Sequence, residues 1–520
     1  MAASLALAAS SCVFGIDGRP PEPNQFYFPT GLALSAGRTT LYVATSDFDL
    51  RYAGGTLQAF DARALRDAVR PLVAALDAKG GAAAACSAVG LARNTDPYLS
   101  PGPCSSFAIA PFLRNSVFIG AFASSLVLVH SPEGRGARLF SPVRGDPSLT
   151  YLDVEDDRLA PVTPSFALDC NVGADGFCND AHRVGRSSAR SLRGLQLPSD
   201  PLGTASSSDG IALVSAHQTQ ASTSVVVNPW GATPYLSYFT NKLATGPTEL
   251  TSIPRPAVVE SAKLAGTASG YAVNYRDAFV LAYRGAAQLD LVEYHPDSGS
   301  IPPRPFLVMA QQFPLTISAS NVDSRGLAIV SSEREACEAR CLDAATALEC
   351  QADCAETVPL RIYVANRNPA SLLVGRVHTA LVRENTTDDG PRRITAVFHS
   401  VEMHGALPLD YGPAHVRVGQ VVDVDGSLVD RVFALSFDSR AIAIVDPVAD
   451  AVEAIVRTGR GPQELAVDSG ADNGETYSFA YVAHFTDSYL GILHLDRRHP
   501  ATYGQIVASI GEPLPPAGSR

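Results

Sequence analysis

Short apolar runs, separated by Gly, Pro, Asp and Asn, recur along most of the chain. Runs of this length bounded by turn residues are typical of β-strands. Seven of these runs are each followed within a few residues by a second run. The first members are 40–46, 116–122, 210–217, 277–284, 360–367, 431–437 and 478–485, and their partners are 55–61, 125–131, 222–228, 288–294, 371–377, 440–446 and 490–496. The pattern predicts an all-β protein with an internal repeat.

Proline-centred segments punctuate these pairs, at 28–32, 102–107, 200–205, 246–250, 313–317, 412–416 and 461–465. Pro201 and Pro247 are 46 residues apart, and Pro413 and Pro462 are 49 apart. These intervals are close to the length of one four-stranded propeller blade. The longer intervals contain insertions, predicted at 62–104, 155–196 and 333–358. The first insertion begins with a predicted helix, because Leu65, Val69, Leu72, Val73 and Leu76 share one helical face.

Residues 431–468 and 477–496 resemble the YVTN-type β-propeller repeat. The segments LYVAT (41–45), IYVAN (362–366) and AYVAH (480–484) match the second strand of that repeat, and Asn366 stands at its usual asparagine position. The resemblance implies a seven-bladed propeller of four-stranded antiparallel blades over 26–511, followed by a tail at 512–520. It also implies that residues near 26–28 and 503–510 lie in neighbouring blades. Either FPLTI (313–317) or RGLAIVS (325–331) would be the innermost strand of its blade.

The amino terminus indicates export. The sequence MAASLALAASSC ends in Cys12 and resembles the end of a bacterial lipoprotein signal peptide, in which the cysteine is lipidated. We therefore expect a signal segment at 1–12, a tether at 13–25, and an exported protein that is periplasmic or anchored to the outer membrane by lipid alone. The alternative is an ordinary terminus with a chance cysteine. There is no run of about 18 apolar residues, so no transmembrane helix is predicted.

The remaining eight cysteines form local clusters, as expected in an oxidising compartment. Cys86 and Cys104 flank one loop, and Cys170 and Cys178 flank another, so each pair would close a disulfide. The segment 337–354 has the spacing C-x3-C-x8-C-x3-C. Two antiparallel helices would place the cysteines opposite each other, and the segment resembles twin C-x3-C hairpins. The expected pairs are Cys337 with Cys354 and Cys341 with Cys350, and the alternative is a four-cysteine zinc site.

The charge and the motifs of the chain argue against several classes of function. The chain has 52 acidic and 40 basic residues, a formal charge of −12, which argues against nucleic-acid binding. It contains no phosphate-binding Gly-Lys loop, H-E-x-x-H or G-x-S-x-G, so no catalytic residues and no cofactor are predicted. Two acidic loops would suit calcium: 423–430, with Asp423, Asp425 and Asp430, and 169–180. The alternative for both is an ordinary turn.

The propeller resemblance places a candidate site at the mouth of the axial channel. In that geometry Glu249, His415 and Glu464, each two residues after a proline, approach the channel, and His217 and His484, at the ends of second strands, project there too. Together they would hold a divalent metal or a polar ligand, unless they are spread around the ring and bond their own turns. We expect a non-enzymatic binding or scaffold module for a protein or glycan partner in the cell envelope. The alternative is a lactonase-type or redox propeller enzyme.

Overall fold

Seven four-stranded antiparallel sheets, each built from strands that are consecutive in the chain, form a β-propeller. The computed structural model describes residues 19–516 except 79–80, 133, 135, 160–163, 192, 266–274, 297–298, 300–303, 316–321, 342–346, 386–391 and 473. The described residues therefore exclude all of the predicted signal segment 1–12 with Cys12, the tether up to residue 18, and the tail from residue 517. The first strand of each blade contacts the first strands of both neighbouring blades, so these seven strands surround the axis.

The first three blades lie between residues 29 and 240. Blade 1 contains β1 (Pro29–Leu34), β2 (Thr40–Thr45), β3 (Gly55–Asp61) and β4 (Leu113–Ile119). Blade 2 contains β5 (Val127–His130), β6 (Ala137–Val143), β7 (Ser148–Val154) and β8 (Arg183–Val184). Blade 3 contains β9 (Pro201–Ser206), β10 (Ala212–His217), β11 (Ser222–Val227) and β12 (Tyr235–Thr240).

The other four blades complete the ring. Blade 4 contains β13 (Pro247–Ser252), β14 (Ala278–Tyr283), β15 (Gln288–His295) and β16 (Phe306–Pro314). Blade 5 contains β17 (Ser324–Val330), β18 (Leu360–Arg367), β19 (Ala370–Asn385) and β20 (Arg392–Pro408). Blade 6 contains β21 (Pro413–Val422), β22 (Leu428–Ser436), β23 (Ala441–Asp446) and β24 (Ala451–Arg457). Blade 7 contains β25 (Pro462–Asp472), β26 (Glu475–His484), β27 (Tyr489–His494) and β28 (Gln505–Ile510).

The described helices lie in connections between strands. They are α1 (Ala62–Asp77), α2 (Gly81–Ala88), α3 (Ala257–Ala265), α4 (Ser332–Ala339) and α5 (Ala347–Thr357), with 3₁₀ turns at Asp157–Leu159, Asp180–His182 and Ser188–Arg190. Helix α1 begins where the Asp61 carboxylate accepts the Ala64 N–H, and its predicted apolar face buries Leu65, Val69 and Leu72. None of the described helices is both long and apolar enough to cross a membrane.

Blade 7 packs against blade 1 without exchanging a strand, and the first insertion fastens the two together. Helix α1 carries Arg66, which forms a buried ion pair with Asp468 of β25 at 2.7 Å. Farther along the insertion, the Phe107 N–H donates to the Ser509 carbonyl of β28 at 2.8 Å. Residues 26–28, directly before β1, and strand β28 thus lie at neighbouring blades, as predicted.

Six of the seven predicted strand pairs are second and third strands of one blade, but the pair 116–122 and 125–131 was wrong. Its first member contains most of β4 and its second contains β5, which belong to different blades. Two proline segments were also misplaced. Pro103 lies within the insertion between β3 and β4, and Pro314 ends β16 instead of beginning a blade. The innermost strand of blade 5 is β17, within RGLAIVS. Proline is favoured in turns of many kinds, so a proline turn does not by itself mark the start of a blade.

The structure places the sulfurs of the four expected cysteine pairs at bonding distance. Cys337 lies opposite Cys354 and Cys341 opposite Cys350, each with sulfurs 1.97 Å apart, across the hairpin formed by α4 and α5. The other two pairs are Cys86 with Cys104 and Cys170 with Cys178. The α4–α5 hairpin joins β17 to β18, so it is an insertion within blade 5.

Candidate functional site

One residue from every blade lines a cavity of about 490 Å³ at one end of the axis, which we call the funnel. In each blade, the end of the second strand pairs with the start of the first strand or with the segment just before it. The funnel residue is the one that directly follows this paired position. In chain order these residues are Ser46, Arg144, Gln218, Arg284, Arg367, Phe437 and Phe485. The repeat therefore builds a ring of seven equivalent positions around the funnel.

A β-bulge at the start of the innermost strand supplies a second set of funnel residues. The pairing register shifts there in blades 1, 4, 5, 6 and 7, for example between Pro247 and Glu249 and between Pro413 and His415. Bulges re-aim side chains and are frequent beside functional sites. Glu249 and His415 consequently line the funnel, as the sequence predicted.

One side of the funnel is aromatic. We call Phe48, Phe122, Phe437 and Phe485 the aromatic wall. The ring of Phe48 lies 5.7 Å from that of Phe122 and 5.2 Å from that of Phe485, and Phe437 lies 6.1 Å from Phe485. Phe48 is 51% exposed, although it sits in a concavity. Exposed aromatic rings within a cleft provide a surface for the apolar face of a ligand.

The other side of the funnel is cationic. We call Arg144, Arg284, Arg325 and Arg367 the arginine wall. Arg144 forms an ion pair with Asp200, and Arg367 forms one with Asp438. An aspartate that holds a guanidinium at one edge leaves its other N–H donors free for an anion.

Asp323 is shared by two members of the arginine wall. Arg325 binds both of its oxygens at 2.9 Å, whereas the Arg284 Nε lies 3.8 Å away. Four guanidinium groups thus face three aspartates, and one positive charge in the wall is not compensated by them. Arg284, with half of its side chain exposed, is the arginine most available to a ligand.

A buried ion pair, Arg417 with Glu464, lies beside Glu249 and His415 of the funnel, and we call these four residues the floor of the funnel. Arg417 donates from Nε and Nη2 to the two oxygens of Glu464, at 2.7 and 2.5 Å, and from Nη1 to the Val416 carbonyl. Nearby, burial raises the pKa of Glu249 to about 7, opposed by the charge of Arg417 and reinforced by that of Glu464. Burial also lowers the pKa of His415 to about 4, which keeps its ring neutral at pH 7.

Three of the five residues predicted at the funnel do not line it, and one of them, Glu464, is the buried partner of Arg417. His217 is buried within blade 3, where its Nε2 lies 2.8 Å from the Ser224 hydroxyl. His484 stacks on Tyr489, with ring centroids 4.2 Å apart. Both end a second strand, where side chains alternate between faces. The next residue, Gln218 or Phe485, faces the funnel instead, so the prediction was wrong by one position.

The described residues do not gather a metal-ligand set in the funnel. Within that part of the chain, the group of His, Cys, Asp or Glu ligand atoms that lies close enough to hold one ion is Cys341, Cys350 and Cys354. All three of these cysteines belong to the pairs at bonding distance in the α4–α5 hairpin.

The acidic loops considered for calcium bond their own turns. The Asp425 carboxylate accepts the Ser427 N–H at 2.9 Å in the turn between β21 and β22, where Gly426 has φ +85°. Asp423 is held by Arg497 at 2.7 Å. In the loop 169–180, Asp169 and Asp175 each accept an N–H from two residues onward. This is the geometry of Asx turns.

Sequence reasoning missed both walls of the funnel, although a signal for them was present. Phe437 and Phe485 directly follow second strands, and Arg284 and Arg367 occupy the equivalent place in blades 4 and 5. Aligning the blades on their second strands would have brought these positions together.

The comparisons with known proteins find similar folds at low identity. No family model matches the chain, and no curated protein does. Among solved structures, the periplasmic gluconolactonase of Pseudomonas aeruginosa is 12% identical, with a TM-score of 0.40 over 84% of this chain and 87% of that one. Hydrazine synthase of Kuenenia stuttgartiensis is 12% identical, with a TM-score of 0.43 over 92% and 97%. Apo AztD from Citrobacter koseri is 9% identical, with a TM-score of 0.33 over 83% and 87%.

Proposed function

We propose that this protein is an exported, non-catalytic binding propeller of the YVTN type, tethered to the cell envelope through lipid at Cys12. Its funnel binds an acidic sugar residue of an envelope glycan. The observation that carries this proposal is the division of the funnel into an aromatic wall and an arginine wall that carries one uncompensated charge.

The chemistry of the two walls matches the two faces of an acidic sugar. The C–H face of a sugar ring packs on aromatic rings, and its carboxylate accepts paired N–H bonds from a guanidinium. A cavity of about 490 Å³ has the size of a small-molecule site. Protein partners are usually recognised over roughly 800 Å² of surface on each side, so a funnel of this size favours a sugar unit.

Binding of a defined oligosaccharide tests this proposal. We expect trigalacturonate to bind in isothermal titration calorimetry, and its fully methyl-esterified form to bind at least tenfold more weakly because it lacks the carboxylates. Arg284→Gln and Phe48→Ala should each lower the affinity about tenfold, equivalent to about 1.4 kcal/mol. The matched control is Arg457→Gln on β24, where the arginine side chain is 74% exposed and outside the funnel.

Two results would reject glycan binding at the funnel. One is equal affinity for the acid and the ester, and the other is an unchanged affinity in Arg284→Gln and Phe48→Ala. Binding of an acidic peptide in place of the sugar would assign the funnel to a protein partner.

The export proposal has its own test. Cys12 should incorporate radiolabelled palmitate in a bacterial host, and Cys12→Ser should abolish incorporation and release the protein from membranes. Label that persists in Cys12→Ser would contradict lipidation at this residue.

A lactonase-type hydrolase is the second candidate function, and Glu249 favours it. A carboxyl group with a pKa of about 7 in a cavity can exchange protons near neutral pH. Hydrolysis of glucono-δ-lactone above the spontaneous rate, lost in Glu249→Gln, would select this candidate. The redox alternative requires a bound cofactor or copper, which a visible spectrum and metal analysis of protein from its native host would reveal.

A further inference from the structure

A buried polar cluster lies outside the funnel, where the α4–α5 hairpin packs beside α3 and the long strands β19 and β20. Its central residue is Arg334 on α4, which is only 3% exposed. The Nε of Arg334 donates to the Val358 carbonyl at 2.8 Å. Nη1 and Nη2 are both buried and have no hydrogen-bond partner. Four N–H donors of one guanidinium are therefore left unsatisfied in the interior.

Two further polar atoms near Arg334 are also buried without a partner. His399 on β20 binds the Thr379 hydroxyl through Nδ1 at 3.2 Å, but its Nε2 has no partner. The ring of Tyr275 meets that of His399 edge-on, with centroids 6.2 Å apart, and its hydroxyl likewise has no partner. The charge of Arg334 lowers the pKa of His399 in addition to the effect of burial.

The charge of the nearby acidic residue, Glu338, raises the pKa of Arg334 against the effect of burial, so it compensates the guanidinium in part. Glu338, one helical turn onward, directs Oε1 to the Ala257 N–H at the start of α3, at 3.1 Å. Among the described residues, no carboxylate accepts a hydrogen bond from Nη1 or Nη2 of Arg334. Burial lowers the pKa of Arg334 to about 10, so the group is still charged at pH 7. A buried guanidinium with unsatisfied donors and only partial charge compensation is unfavourable unless an anion accompanies it.

The surroundings restrict the size of that anion. An apolar cluster beside the site combines α3, α5 and the β19–β20 pair, with Val258, Val259, Ala352, Ile394 and Val397 at its centre. Because Arg334 and His399 are buried, with 3% and 9% exposure, a sugar or nucleotide has no route to them. The donors come from a guanidinium, an imidazole and a phenol, which together suit a small, weakly hydrated anion.

We propose that Arg334, His399 and Tyr275 form a buried binding site for one halide ion, chloride under physiological conditions. The ion accepts N–H bonds from Arg334 Nη1 and Nη2, the Nε2 proton of His399 and the hydroxyl proton of Tyr275. It neutralises the guanidinium and joins α4 to β20. This site is separate from the funnel and does not depend on the function proposed for it.

Thermal unfolding at constant ionic strength tests the site, with sodium gluconate replaced stepwise by sodium bromide or chloride. A ligand that binds only the folded state raises the Tm. We expect bromide and chloride to raise the Tm of the wild type by about 2 °C over gluconate. Arg334→Met should remove this response and should melt higher than the wild type in gluconate, because it removes a buried charge that is compensated only in part. The control is Arg457→Met, which changes the net charge equally at an exposed position.

A bromide-soaked crystal of the wild-type protein provides a measurement that does not depend on a variant. Anomalous scattering should show one bromide ion within about 3.5 Å of the Arg334 guanidinium. Ordered water molecules alone at this position would overturn the proposal. The same conclusion would follow if halide raised the Tm of Arg334→Met as much as that of the wild type.

Discussion

Two arginines in neighbouring blades lie in buried surroundings, but their charges are compensated to different degrees. Arg417 at the funnel floor and Arg334 beneath α4 each lie near an imidazole whose pKa burial lowers to about 4. Arg417 donates to both oxygens of Glu464 and to a backbone carbonyl. Arg334 donates from Nε alone.

The difference separates a structural arginine from one that implies a ligand. Arg417 has its counter-charge within the fold, so the funnel floor is complete without a bound molecule. A ligand in the funnel must then be held by the walls above it, where Arg284 is poorly compensated. Arg334 has only Glu338 nearby, whose carboxylate accepts the Ala257 N–H instead, so four guanidinium N–H donors are left for the proposed ion.

The strongest test of this comparison leaves Arg417, like Arg334, without a paired carboxylate. Glu464→Gln leaves Arg417 without its carboxylate, and removal of one partner of a buried pair costs about 3–5 kcal/mol. We expect a loss at the lower end of this range, because the Arg417 side chain is 28% exposed. Chemical denaturation of wild type and variant measures it.

The control for this experiment is Asp472→Asn. Asp472 pairs with Arg70 at 3.0 Å, but both side chains are more than one-third exposed. We expect a loss below about 1 kcal/mol for this surface pair. Equal losses in Glu464→Gln and Asp472→Asn would show that the floor pair is not effectively buried.

The second prediction acts on the helix that carries Arg334. Double replacement of Cys337 and Cys354 by alanine should cost about 3 kcal/mol if they form a disulfide, because the loop between them spans 17 residues. It should also weaken the halide response, since α4 is then held less firmly over β20. Non-reducing peptide mapping checks the four pairs first, and zinc analysis tests the alternative.

Replacing Cys170 and Cys178 by alanine is the matched control, because their loop belongs to blade 2. This variant should lose stability but keep the wild-type halide response. A halide response that falls equally in both double variants would contradict a local role for the α4–α5 hairpin.

The sequence was sufficient for most of the fold because the blades repeat one local pattern. Second strands such as β2, β10 and β14 are buried along their whole length, so they read as uninterrupted apolar runs. Blade 2 was misread because β5 is not preceded by a proline and β4 is separated from β3 by a long insertion. Pairing between two strands that an insertion separates cannot be recognised from the spacing of apolar runs.

The residues of the funnel were harder to predict because successive side chains of a strand point to opposite faces. A shift of one residue moves a side chain from the funnel to the blade interior, as for Gln218 and His217. The site of Arg334 had no local signal at all. It brings together α4, β20 and the segment before β14, which are far apart in the chain, and its lack of a partner is visible only in three dimensions.

The third prediction uses pH to separate the two arginine sites. Burial lowers the pKa of His399 to about 4, from about 6.5 in the unfolded chain, so the unfolded state binds more protons between these values. The stability contributed by the neutral ring is therefore complete above pH 6.5 and is lost as pH falls toward 4. Between pH 7 and pH 5, His399→Gln should lose about 2 kcal/mol less than the wild type, measured by denaturant unfolding in gluconate.

The sharpest form of this prediction compares His399 with His415 in chloride. A bound anion beside Arg334 would favour the protonated form of His399, so chloride should reduce the benefit of His399→Gln at pH 5. The matching effect of His415→Gln should not change with chloride, because Glu464 already compensates Arg417. His404→Gln, at an exposed position of β20, is the control and should follow the wild-type profile. An identical chloride effect on the His399 and His415 variants would remove the distinction between the two arginine sites.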